Sequence, residues 1–245
     1  MTTTTVRNLL LAGGLHHPVE AGAPSIVQAL SGQGIETDVE EDIEAGCQRL
    51  AQGNYQLLTV SALRWAMPEA KYDAHRARWG LAISQQARSA IAQFLRGGGG
   101  LLAMHTAAIS FDDWPQWGDI VGSRWIWGQS GHAPYGHIEV RFDAADPHAM
   151  GTGLPAFQCQ DEVYENMTVA PDVRPLAHAR NLTGNAGQPG AWTPVWWTRR
   201  WHGARIVYDA LGHDAQSLDH PVHRQLLAQS VAWILDDRHT TVPQA

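Results

Sequence analysis

Cysteine is nearly absent from this 245-residue chain, which carries only Cys47 and Cys159. Two thiols allow one bridge at most, and a chain of this length buries enough surface to fold without it, so both are read as reduced. Long apolar runs are missing as well. No window reaches the roughly 18 apolar residues of a membrane span, and the opening Met1-Thr2-Thr3-Thr4-Thr5-Val6-Arg7 has no basic n-region before an apolar stretch. The expectation is a cytoplasmic protein with no membrane partner. Positive charge is scarce: 17 Lys plus Arg against 24 Asp plus Glu leave a net charge of -7, which repels a phosphate backbone and argues against nucleic acid. Phosphate-cradling loops are lacking too. Gly13-Gly14-Leu15-His16-His17 does not have the Gly-x-Gly-x-x-Gly spacing, and no Gly-Lys-Ser or Gly-Lys-Thr occurs, so no nucleotide cofactor is expected. Nor is there a Gly-x-Ser-x-Gly or Gly-x-Cys-x-Gly elbow for acyl transfer; the equivalent tight position holds Met104-His105-Thr106-Ala107.

Histidine and tryptophan are abundant instead, at 13 and 11 residues. With 44% apolar and 17% charged residues, the composition is that of a compact globular chain, and the length suits one α/β domain over 1–245, with 1–5 flexible. Residues 6–12 read as a strand buried on both faces that ends in Gly13-Gly14. Helical spacing over 25–30, a strand over 35–40, helical spacing over 43–50 and a strand over 56–60 follow. This β-α-β-α-β order implies right-handed crossovers and a doubly wound, mostly parallel sheet with helices on both faces. Residues 64–79 are read as an excursion above the sheet. Ser84 caps a helix that runs to the glycines at 97–100, and 101–105 is the fourth strand. Residues 111–127 read as a Trp-rich loop and 147–155 as a turn-rich connector. Further strands are expected over 137–142, 175–180, 193–198 and 205–211, with a last helix over 222–235.

Polar residues recur where strands end: His16 and His17 after the first, His105 at the end of the fourth, His213 and Asp214 after the last. Parallel strands end on one edge of a sheet, the edge where open α/β folds bind ligands. His17, His105 and His213 can therefore converge with Asp161 or Glu162, as a metal site or as a general acid/base cluster. If a metal, imidazole and carboxylate donors suit zinc, with His105, His213 and Glu162 or His17 as ligands. On an extended segment Glu162 and Tyr164 share one face and Asp161 and Glu165 the other, so a single carboxylate is aimed inward. His75, His148, His178, His202 and His239 are read as structural, and Cys47 and Cys159 as small packing residues. Trp125, Trp127, Trp192, Trp196 and Trp197 are open to two accounts: packing of a cover over the sheet, or a platform on which the apolar faces of sugars stack. On the second account Trp125, Trp127 and Trp196 contact substrate, with His17 and Asp214 supplying hydrogen bonds.

The ordered set Gly98-Gly99-Gly100-Leu101-Leu102-Ala103-Met104-His105-Thr106, Gly122-Ser123-Arg124-Trp125, Asp161-Glu162-Val163-Tyr164-Glu165, Pro194-Val195-Trp196-Trp197 and Arg205-Ile206-Val207-Tyr208-Asp209-Ala210-Leu211-Gly212-His213-Asp214 resembles the ThuA-like family of trehalose utilisation proteins. The resemblance implies the flavodoxin-like sheet of the class I glutamine amidotransferase superfamily, and a role in disaccharide or keto-sugar metabolism. It places His17, His105, Glu162, Tyr164 and His213 on the family's recurrent polar positions. Amidotransferase chemistry is not implied, because His105 stands where those enzymes carry a thiol. The expectation is a hydrolase or isomerase acting on a disaccharide or keto-glycoside at the C-terminal edge of the sheet. In it Glu162 is general acid or base, His105 a proton-transfer partner or metal ligand, and Tyr164 orients substrate or water. The alternative is a sugar-binding or assembly protein without chemistry. The Trp-rich cover is also a candidate self-association patch, so a homodimer is expected ahead of a monomer.

Overall fold

The computed structural model describes residues 5–143, 150–183 and 188–236. His148, His239 and all but the last residue of the expected flexible segment 1–5 lie outside the described residues. In chain order the elements are β1 (Val6–Gly14), α1 (Val19–Ser31), β2 (Ile35–Glu40), α2 (Ile43–Gln52), β3 (Leu57–Leu63), α3 (Asp73–Trp79), α4 (Gln85–Arg96) and β4 (Gly100–Met104). There follow α5 (Pro115–Val121), β5 (Ser123–Arg124), β6 (Gly131–His132), β7 (Gly136–Phe142), β8 (Phe157–Asp161), β9 (Tyr164–Glu165) and β10 (Thr168–Val169). The chain closes with β11 (Arg174–Asn181), β12 (Thr193–Trp201), β13 (Ala204–Asp209), α6 (Ala215–Leu218) and α7 (Pro221–Leu235).

Nine strands form one sheet in the order β2-β1-β3-β4-β13-β12-β11-β7-β8. The first five are parallel; the remaining four continue the sheet antiparallel. Continuous apolar runs explain the parallel half. Leu9, Leu10, Leu11, Leu57, Leu58, Leu101 and Leu102 are all fully buried, as strands covered on both faces require. Helices α2 and α4 pack together, and α1 packs with α6 and α7. The α/β, flavodoxin-like order 2-1-3-4 reverses between β1 and β3, and the crevice above such a reversal, at the carboxyl ends of the strands, is where these sheets take ligands.

Some local details depart from the sequence expectations. Helix α1 starts at Val19, directly after Pro18, and tolerates Pro24 inside it. The excursion at 64–79 contains a 3-10 turn (Ala70–Tyr72) and α3. The Trp-rich loop contains α5, whose Pro115 sits at the first helical position and whose C-terminus is closed by Gly122 at φ +85°.

The turn that delivers His17 depends on Gly14. Its φ is +154°, and a Cβ there would lie 2.4 Å from the Leu63 carbonyl oxygen and 2.8 Å from the Leu63 nitrogen. Gly14 is paired with Leu63 in the β1–β3 ladder, so the clash is with backbone that cannot step aside. Gly14→Ala is therefore expected to lower stability by about 1–3 kcal/mol, read as a lower urea midpoint at unchanged slope.

Candidate functional site

His105 closes β4. It is buried, and its φ of +44° puts a non-glycine residue in the left-handed region. Such strain persists only where the surroundings over-determine it. Three contacts do so: the Tyr208 hydroxyl donates to the His105 carbonyl at 2.8 Å, the ring Nδ1 lies 2.9 Å from the Ala210 carbonyl, and the Tyr164 hydroxyl lies 2.9 Å from Nε2. A carbonyl only accepts, so Nδ1 carries the proton and Nε2 offers its lone pair, which the Tyr164 hydroxyl occupies. Tyr164 also stacks on the imidazole, with ring centroids 4.7 Å apart. Burial pushes the His105 pKa down to about 4, so the ring is neutral at physiological pH.

His17 follows the same plan. Its Nδ1 lies 3.1 Å from the Leu15 carbonyl, which leaves Nε2 as a buried lone pair with no hydrogen-bond partner. Burial lowers its pKa to about 3. His213, one residue past the Gly212 turn beyond β13, completes the imidazole set. Ring centroids are 5.1 Å apart for His17 and His105, 4.7 Å for His17 and His213, and 5.5 Å for His105 and His213.

Glu162 faces this set. Its Oε2 lies 3.4 Å from His213 Nδ1 and 3.7 Å from His105 Nε2, while Oε1 lies 3.5 Å from His132 Nδ1. Burial alone would raise its pKa, but the His213 contact and the neighbouring imidazoles hold it at about 2. Conversely, burial would lower the His213 pKa, and Glu162 raises it above the ordinary value. One ligand atom from each of His17, His105, Glu162 and His213 lies within 4.8 Å of the others. Ligands at 2.0–2.1 Å around a tetrahedral metal stand about 3.4 Å apart, so these side chains would have to close by up to about 1.4 Å to share one. Two of the imidazoles are already oriented by backbone carbonyls on their far nitrogens, as metal-bound imidazoles are.

The expected residues His17, His105, Glu162, Tyr164 and His213 are thus brought together. Trp125 joins them, its ring 5.4 Å from Tyr164 and 6.4 Å from His132. Trp127 lies on the rim, 40% exposed and stacked on Trp65 at 5.6 Å. Trp196 is not at the site. It is fully buried near α7, with its indole N–H donating to Ser230 and its ring against His223, so its assignment as a substrate contact is corrected to core packing. Asp214 stands beside the site with both oxygens engaged. Oδ1 caps α6 through the Gln216 N–H, and Oδ2 accepts from the Tyr135 hydroxyl, whose ring lies 5.0 Å from His213. His16 turns to solvent.

Asp161 also departs from its expected place. The strand alternation stops at 161, because β8 ends there and β9 begins at Tyr164, so Asp161 and Glu162 both serve the same region. Asp161 is fully buried beneath the site and holds backbone rather than facing away. Nothing in the sequence points to His132 and Tyr135. The two-residue strand β6 pairs with β9, which sets His132 opposite Tyr164, and a pairing that short leaves no periodicity to read. Beneath His17 and His213 the cleft amounts to about 10 Å³, no more than one water.

The model of the ThuA family, described as trehalose utilisation, matches residues 8–234. A ThuA-like protein of Parabacteroides merdae ATCC 43184 superposes with a TM-score of 0.73 at 18% identity, covering 98% of this chain and 94% of that one. A ThuA-like protein of Bacteroides uniformis ATCC 8492 gives 0.66 at 16% identity, with 96% and 93% covered. The chain also superposes on part of the cold-adapted β-galactosidase of Rahnella sp. R3, with a TM-score of 0.57 at 13% identity, covering 96% of this chain and 31% of the enzyme. No curated protein matches the chain. At these identities the solved structures establish the fold, no described helix is long and apolar enough to cross a membrane, and by the match over residues 8–234 the chain belongs to the ThuA, or trehalose utilisation, family.

Proposed function

We propose that His17, His105 and His213 hold a divalent metal, zinc by the chemistry of the donors, with the fourth position open and Glu162 beside it as acid or base, and that the chain is an enzyme acting on a disaccharide or keto-glycoside. The observation that carries this reading is the gathering of four donor atoms within 4.8 Å, together with the unpartnered buried Nε2 of His17. A buried lone pair left unused is costly unless something takes it. A bound zinc supplies Lewis-acid polarisation of a sugar hydroxyl or carbonyl.

The protein's own groups divide the remaining work. Glu162, ionised and flanked by imidazoles, accepts a proton from water or a substrate hydroxyl and returns it to the leaving oxygen. Tyr164 donates the hydrogen bond that orients the reacting oxygen, once its hydroxyl leaves His105 Nε2. Trp125 and Trp127 offer ring faces to the apolar side of a pyranose at the open mouth. His132, with 38% of its side chain exposed, stands between the mouth and Glu162.

Zinc titration tests the reading. The chain is expected to take up one equivalent, and His17→Ala to abolish tight uptake. Tyr164→Phe has a less intuitive sign. It removes the hydroxyl that competes for the His105 lone pair, a hydrogen bond worth about 0.5–1.5 kcal/mol, so zinc affinity is expected to rise about 2- to 10-fold while turnover falls. No zinc uptake by the wild-type chain overturns the metal assignment. Calorimetric binding of trehalose, sucrose or their oxidised forms without any product overturns the assignment as an enzyme and favours a sugar-binding protein.

A further inference from the structure

Behind the site lies a second polar cluster that takes no part in the proposed chemistry: Asp161, Asp209, Ser217 and His223, each fully buried. Its hydrogen bonds converge on one stretch of backbone. The Leu211 N–H donates to Asp209 Oδ1 at 2.9 Å, the Gly212 N–H to Asp161 Oδ2 at 2.8 Å, and the His213 N–H to Asp161 Oδ1 at 3.3 Å. Three consecutive amides are thus held by two buried carboxylates. Asp161 Oδ1 also accepts the Glu162 N–H at 2.7 Å, so the same carboxylate ties down both segments that carry Glu162 and His213. The residue before those amides, Ala210, presents the carbonyl that fixes the His105 tautomer.

Two carboxyl groups in a dry interior need hydrogen-bond partners. His223 on α7 is placed to supply one. Its Nε2 lies 2.8 Å from Asp209 Oδ2 and its Nδ1 lies 2.9 Å from the Ser217 carbonyl. The Ser217 carbonyl can only accept, so Nδ1 carries a proton, and Nε2 and Asp209 Oδ2 share a second one between them. Burial by itself would lower its pKa, yet Asp209 and Asp161 raise it above the ordinary value; burial in turn raises both carboxyls above theirs, and His223 opposes that rise.

We propose that His223 is a positioning residue: by bridging Asp209 Oδ2 and the Ser217 carbonyl it locks Asp209 against the Leu211 amide, next to the Asp161 carboxylate that holds Gly212 and His213, and so keeps the His213 ring and the His105 tautomer in place for the cluster. Without that bridge Asp209 is no longer fixed against the Leu211 amide, and the 210–213 segment relaxes. His223 touches neither substrate nor the donor atoms. The inference rests on the cluster being the functional site but not on the identity of the metal.

The test uses the full chain with His223→Gln, and with the pair Asp209→Asn/His223→Gln, in which neutral amides of similar shape replace both side chains and the side-chain carbonyl at position 209 can still accept from Leu211. Zinc affinity is measured by competition titration, and the His105 tautomer by long-range nitrogen–proton NMR of the imidazoles in the metal-free protein. The wild type is expected to show a single His105 tautomer with the proton on Nδ1. Both variants are expected to show mixed tautomers and to bind zinc about 10- to 100-fold more weakly. Should His223→Gln fail to fold, the neutral pair carries the comparison, because exchanging both partners of a buried pair for neutral groups of their own volume is tolerated far better than removing one partner. A single, unchanged tautomer in the folded variants overturns the positioning role. A wild type that takes up no zinc overturns the metal assignment alone, since the tautomer measurement needs no metal.

Discussion

Glu162→Gln is expected to lower turnover of a keto-disaccharide by about 10²- to 10⁴-fold, the range lost when a positioned general acid or base is removed. Glutamine keeps the volume of the side chain and can still accept a hydrogen bond, so the packing against His105, His132 and His213 survives. What disappears is the negative charge and the ability to hold a proton. Among the described residues every neighbour within ion-pair reach of Glu162 is an imidazole, and two of those contacts, His105 and His213, come from ring nitrogens of the proposed ligand set. Asp161 cannot take over, because it is committed to three backbone amides beneath the cluster. A matched His132→Gln control separates chemistry from charge. His132 meets Glu162 at its other oxygen and lies outside the four-donor group, so its replacement is expected to leave zinc uptake intact. Unchanged keto-disaccharide turnover in a folded Glu162→Gln preparation overturns its assignment as acid or base.

The convergence of His17, His105 and His213 is legible in the sequence because it follows from topology. Continuous apolar runs such as Leu9-Leu10-Leu11 and Leu101-Leu102 mark parallel strands, parallel strands end on one edge, and a histidine after each end has nowhere else to go. The antiparallel half is less readable. Strands β11 and β12 pair through register shifts, and β5, β6, β9 and β10 are two residues long, so neither the direction of pairing nor the approach of His132 to Glu162 leaves a period in the sequence. Asp161 escapes the alternation rule because a strand ends at that residue, and a period of two holds only inside a strand. His223 gives no signal at all. It sits within the buried face of α7, where a histidine is indistinguishable from a chance polar residue until Asp209 is seen 2.8 Å away.

Tryptophan shows the same limit, and Trp196→Ala turns it into a measurement. Trp125 and Trp196 look alike as sequence, each in a Trp-rich stretch, yet one is half-buried beside Tyr164 and the other is fully buried. Strand β12 is covered on both faces. Trp197 reaches toward α5, its indole donating to the Val121 carbonyl, while Trp196 reaches toward α7 and meets Ser230 and His223. Removing the Trp196 ring leaves a cavity in a close-packed layer, and the expected loss is about 3–5 kcal/mol. Ser230 itself is not orphaned, because its hydroxyl also donates to the Leu226 carbonyl at 2.8 Å, so the loss is one of packing rather than of hydrogen bonding. For a chain of this size that corresponds to a fall in melting midpoint of about 6–20 °C. Trp196→Phe, which keeps an aromatic ring in place, is expected to lose less than half as much. A substrate-stacking tryptophan behaves in the opposite way: its removal raises KM and leaves the melting midpoint where it was. Trp125→Ala is expected to show that pattern, so the two variants measured side by side separate core from mouth, and a Trp196→Ala protein that melts like the wild type overturns the placement of this ring in the core.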